Sequence, residues 1–104
     1  MSAYYHVVLM KIRADADAAF HEAVRGYCRQ ILASCPGVLS YDYFANEASR
    51  SQGHDFAIVA RFVSSPAHDA YQADPIHLAM KGFMAPYIEN MVVLDGLSAE
   101  SGPG

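Results

Sequence analysis

Two stretches of this chain are apolar on both faces of a strand. From Tyr4 to Ile12 (YYHVVLMKI), Tyr5, Val7 and Leu9 alternate with His6, Val8 and Met10. From Asp55 to Val63 (DFAIVARFV), Phe56, Ile58, Ala60 and Phe62 alternate with Ala57, Val59 and Val63. Successive strand side chains point to opposite faces, so a sheet built on these strands needs apolar cover on both sides. A chain of 104 residues is one domain with a modest core. Its composition, 53% hydrophobic with seven Tyr and five Phe, exceeds what such a core needs. The surplus is expected against a partner subunit or around a ligand.

Between these strands the hydrophobic period changes. Over Asp15 to Ser34, Phe20, Ala23, Val24, Tyr27, Ile31 and Leu32 fall on one stripe, with Asp17, Glu22, Arg25 and Arg29 away from it. This is the pattern of an amphipathic helix. Gly26 inside it is expected to mark a close approach of helix to sheet, and Cys35-Pro36-Gly37 is a strong stop. Val38 to Asn46 reads as a second strand. The polar stretch Glu47 to His54 is long for a hairpin connection and is expected to be mobile. Ser64-Ser65-Pro66 opens a short helix to about Gln72. Asp74-Pro75 opens another, to about Glu89 with a break near Pro86. Met91 to Leu97 is the fourth strand.

The order β-α-β-β-α-β predicts an α+β, ferredoxin-like fold, with both helices on one face of a four-stranded antiparallel sheet. Two such sheets packed face to face close into a dimeric α/β barrel, which covers the second apolar face. Residues 1–97 are assigned to one domain and 98–104 to a frayed, flexible tail.

Several function classes are disfavoured. The net charge is −4 and the seven Lys and Arg are scattered, so no basic stripe invites nucleic acid. No apolar run approaches the roughly 18 residues of a membrane span, and no signal-peptide pattern opens the chain. Cys28 and Cys35 are two helical turns apart, roughly 10 Å, beyond the about 7 Å that a disulfide spans. Free thiols fit a cytoplasmic protein. No H-x-H, H-E-x-x-H or CxxC spacing supports a metal, and no glycine-rich loop supports a phosphate cofactor. The expectation is therefore no metal and no cofactor.

The residues that can carry chemistry lie around AYQADPIHLAM, from Ala70 to Met80. Asp74 suits an N-cap and Pro75 the first helical position, so His77 falls in the first turn. Ser65-Pro66-Ala67-His68 uses the same device, and His68 reads as part of a solvated helix start. His77 has apolar neighbours instead. The helix dipole disfavours its imidazolium and Asp74 favours it. A neutral imidazole is a good proton acceptor. The phenol of Tyr71, one helix start earlier, can donate to a carbonyl or developing enolate oxygen. His6, in strand one, is a third candidate, while His21 and His54 are expected to be exposed.

These residues carry a resemblance. His6 before VVLMKI, the Cys35-Pro36-Gly37-Val38 exit, FAIVARF with its Ser-Ser-Pro exit, and Tyr71 through Asp74-Pro75-Ile76-His77 together resemble the stress-responsive dimeric α/β-barrel (Dabb) domain family. The resemblance runs from about Tyr5 to Gly96 and includes relatives of olivetolic acid cyclase. Asp74 stands where the family's "Y…HP.H" stretch usually has its first histidine. The resemblance implies a ferredoxin-like fold pairing as a homodimer through the sheet face. It also implies His77 as catalytic base, Tyr71 as its partner, and a small-molecule pocket with His6, Phe56, Val24 and Tyr27 as substrate-binding residues. Phe56 replaces a histidine that the cyclase carries early in strand three.

Three readings follow. One is a cofactor-free acid/base cyclase or isomerase acting on a small polyketide-like or aromatic carbonyl compound. Another is a non-catalytic, stress-responsive dimeric barrel in which Tyr71 and His77 brace helices against the sheet. The last, by fold analogy, is a cofactor-free monooxygenase.

Overall fold

A computed structural model describes residues 2–99. The chain forms β1 (Ala3–Ile12), α1 (Ala18–Ser34), β2 (Val38–Ala45), β3 (Phe56–Phe62), α2 (Ser65–Gln72), α3 (Pro75–Met84), a 3-10 turn (Ala85–Tyr87) and β4 (Ile88–Ser98). The strands order as β2-β3-β1-β4 with every neighbouring pair antiparallel. This is the expected α+β, ferredoxin-like arrangement, its second helix split into α2 and α3.

Alternation along the strands sets the layers. Val8, Met10 and Ile12 of β1, Tyr41 and Tyr43 of β2, and Ile58, Ala60 and Phe62 of β3 point toward the helices. They bury there with Phe20, Val24, Cys28 and Ile31 of α1 and with Met80 and Met84 of α3. On the opposite face, Val92 and Leu94 of β4 and Phe44 of β2 are 51%, 61% and 48% exposed. Leu9, Phe44, Ala57 and Val59 wall a hollow there of about 400 Å³. The sheet is thus apolar on both faces, and its own helices cover one.

Local boundaries differ from the expectation where side chains found other partners. α1 starts at Ala18 because Asp17 caps it, accepting from the Phe20 amide at 2.9 Å; Asp15 instead pairs with Arg13 at 2.9 Å. Leu32, placed on the buried stripe, is exposed, and Cys28 takes the inward position. Gly26 marks no approach to the sheet, since a Cβ there would meet only the Arg29 guanidinium, at 3.8 Å. The helical reading to Glu89 fails because Pro86 converts the last turn to 3-10 geometry and β4 begins at Ile88.

Gly37 is required where α1 hands over to β2. Its φ is +83°, and a Cβ on it would stand 2.7 Å from Cβ of Ala67 in α2. Residues 46–55 are tied at several points: Asn46 N–H donates to the Asp55 carbonyl at 2.8 Å, and Asp55 Oδ1 accepts from Ile12 N–H at 2.9 Å. Ser98, assigned to the tail, is the last residue of β4, and 100–104 lie outside the described residues. Among the described residues no helix is long and apolar enough to cross a membrane.

Candidate functional site

The site grows from the joint between α2 and α3. Ser64 caps α2 by accepting from Ala67 N–H at 3.2 Å, and Asp74 caps α3 by accepting from Ile76 N–H at 2.8 Å. Tyr71 ends one helix and His77 opens the next, so the short joint stacks their rings with centroids 4.0 Å apart. His77 Nδ1 donates to the Gln72 carbonyl at 3.4 Å. A carbonyl only accepts, so Nδ1 carries the proton and Nε2 keeps its lone pair. Burial holds the His77 pKa below the ordinary histidine value, against the Gln72 bond, which pulls the other way; the Lys81 charge lowers it further. Desolvation, rather than Asp74, thus sets the direction and favours the uncharged ring. The ring is a neutral base.

Tyr71 is 2% exposed, and its hydroxyl meets that of Tyr41 at 2.6 Å. Burial raises both hydroxyls well above the usual phenol range, so neither ionises near neutrality. When Tyr41 donates to Tyr71, the Tyr71 O–H is free for another acceptor.

His6 lies opposite Asp95 in the β1–β4 register, and its Nδ1 meets Asp95 Oδ1 at 2.5 Å. His68, expected in a solvated helix start, is instead 2% exposed. The reason is helical spacing: three residues before Tyr71, it shares that residue's face. α2 lays both against the sheet, where the His68 ring centroid lies 4.7 Å from that of His6 and 5.2 Å from that of Phe62. His68 Nδ1 meets Gln72 Nε2 at 3.3 Å. Its Nε2 lies 3.7 Å from Asp95 Oδ1 and is the buried side-chain polar atom without a hydrogen-bond partner among the described residues. Such an atom costs about 1–3 kcal/mol.

His6, Tyr71 and His77 open onto one cavity of about 460 Å³ between the helices and the β1–β4 side of the sheet. Tyr41, Gln72, Lys81 and Asp95 add polar groups to it, and Met10, Met80, Met84 and Met91 supply much of the apolar wall. Methionine is flexible and polarisable, so this wall adapts to varied apolar shapes.

The other three expected pocket residues stand elsewhere. Val24 is fully enclosed in the core under α1. Tyr27 packs on Phe83, centroids 5.7 Å apart. Phe56 stacks between Tyr43 and His21 at 5.3 and 4.4 Å. His21, expected to be exposed, hydrogen-bonds Tyr43 Oη at 2.9 Å, and His54 Nε2 meets Asn90 Oδ1 at 2.8 Å. Sequence reasoning missed Tyr41, Asp95 and His68. The spacing to Tyr71 was the available sign for His68, whereas Tyr41 and Asp95 are brought in by strand pairing.

Known proteins share this architecture. A hydroxynitrile lyase from Passiflora edulis superposes with a TM-score of 0.82 at 16% identity, covering 97% of each chain. A dimeric ferredoxin-like protein from Thermobifida fusca YX gives 0.77 at 23% identity, covering 91% of this chain and 90% of that one. A Dabb family protein with a ferredoxin-like fold from Mesorhizobium loti gives 0.77 at 16%, covering 96% and 100%. At these identities the likeness is one of fold. No curated protein matches the sequence. Residues 4–97 match the family described as the Stress responsive A/B Barrel Domain, and the chain belongs to that family, Dabb.

Proposed function

We propose that this Dabb protein binds a small carbonyl compound, polyketide-like or aromatic, and moves a proton on it as a cyclase or isomerase. The observation that carries the reading is the opening of His77, Tyr71 and His6 onto one cavity whose wall is otherwise largely methionine and aliphatic. His77 Nε2 takes a proton from carbon α to a carbonyl, and the Tyr71 O–H donates to the enolate oxygen that gains charge. In a cyclase the enolate carbon then bonds to a second carbonyl carbon, and the His77 imidazolium returns its proton to the new alkoxide. The proton transfer asks for no cofactor. This is the chemistry that relates the chain to olivetolic acid cyclase-like proteins. His6 binds the substrate's polar end.

The protein acts as a homodimer paired through the outer sheet face. The exposed Val92, Leu94 and Phe44 and the hollow beside them support this, as do dimeric relatives of the same fold. Buried free Cys28 and Cys35 suit the reducing cytoplasm.

The test is a panel of linear polyketones and aromatic carbonyl compounds, with turnover followed by chromatography. On an active substrate, His77→Ala should lose about 10²–10⁴-fold in kcat, and Tyr71→Phe about 10²–10³-fold. A His77→Ala enzyme that keeps its rate overturns the mechanism.

A further inference from the structure

We propose that His6, His68 and Asp95 form a binding site for a divalent transition-metal ion of the zinc class. The inference does not rest on the acid/base roles of His77 and Tyr71, although it shares His6 with the proposed pocket. One candidate ligand atom from each of the three residues lies within 4.8 Å of the other two. Two imidazoles and one carboxylate are a donor set that zinc and ferrous iron accept while keeping further positions open. Metal–ligand bonds of about 2.1 Å set tetrahedral donors about 3.4 Å apart. His68 Nε2 and Asp95 Oδ1 stand at 3.7 Å already, and the 2.5 Å contact between His6 and Asp95 has only to widen.

The independent observation is His68 itself. The hydrogen bond between His6 and Asp95 satisfies that pair of atoms and leaves His68 Nε2 with no partner among the described residues, in a residue that is 2% exposed. That nitrogen is aimed at the carboxylate from inside the core. A cation between them gives it a use.

The surroundings fit as well. A ligating histidine usually donates its other N–H to an oxygen acceptor. Gln72 Nε2 sits 3.3 Å from His68 Nδ1; a half-turn of that amide puts its oxygen there instead, where it accepts the Nδ1 proton and leaves Nε2 free to ligate. Asp95 and His6 both line the cavity, so an ion there has a route in and a face toward any bound ligand. The three donors come from β1, α2 and β4, which is why no short metal-binding spacing exists in the sequence.

Cobalt(II) titrated into the metal-stripped full chain, read by its visible absorption, tests the site. We expect one equivalent per chain in a nitrogen and oxygen field, without thiolate charge transfer, displaced by zinc. Asp95→Asn and His68→Gln should each weaken binding by more than about 100-fold, and Gln72→Leu by about 10–100-fold. Circular dichroism checks that each variant is folded. Should His68→Gln not fold, Asp95→Asn on the partly exposed edge strand decides. No cobalt band in the wild type overturns the proposal, and so does a band that survives Asp95→Asn or that disappears only with His54→Ala.

Discussion

The hydroxyls of Tyr71 and Tyr41 lie 2.6 Å apart in the interior. The phenol that the sequence singles out thus works as one half of a pair. Removing either oxygen strands the other without its protein partner, at a cost of about 1–3 kcal/mol. Removing both spares that penalty. Urea denaturation of Tyr41→Phe, Tyr71→Phe and the double variant should give a double-mutant loss smaller than the sum of the singles. Strict additivity would show that the two hydroxyls do not interact.

Stability should fall on mild acidification. Burial holds His21, His68 and His77 below the ordinary histidine value of 6.5. Below that value the unfolded chain binds protons that the folded chain resists, so stability drops as pH falls through 6.5 toward the lower folded values. Urea midpoints at about pH 7.5, 6 and 5 will register the decline, and replacing His68 and His77 with Gln should flatten it. An unchanged slope in that double variant would assign the acid sensitivity to other groups.

Gly37→Ala should be strongly destabilising for its size. The new Cβ must occupy a φ of +83° and a position 2.7 Å from Ala67. Backbone strain of this kind costs about 1–3 kcal/mol, and each kcal/mol lowers Tm by roughly 4–8 °C in a domain of this length. A Tm within about 2 °C of wild type would mean that the turn relaxes freely.

Leu94→Lys, on the uncovered face of β4, should convert the proposed homodimer to a monomer. Size-exclusion chromatography with light scattering reads the mass directly. A dimer that tolerates this charge is built on another surface.

Much of the fold was readable because it rests on local periodicity. Alternation in β1 and β3 announced a two-faced sheet, and repeated Ser-Pro and Asp-Pro caps announced α2 and α3. Tyr71 and His77 were legible for the same reason, since one short joint brings them together. Tyr41 and Asp95 were not. Each reaches the site through strand pairing, and a single sequence does not report register across 30 or more positions. His68 was misread because an N-cap pattern shows where a helix begins and not which side of its first turn is buried. Val24, Tyr27 and Phe56 were assigned by resemblance, while packing drew each of them to the α1 side of the core.

β4 carries one further consequence. Met91, Val93 and Asp95 look into the cavity, whereas Val92 and Leu94 look out toward the face we assign to the partner. One strand thus serves two clients, residue by residue. Changes at odd positions alter what the cavity accepts, and changes at even positions alter what the sheet pairs with. Ligand preference and assembly can therefore diverge independently among relatives, although their determinants are neighbours along the chain. A slip of a single residue in this strand's pairing would exchange the two sets and erase both.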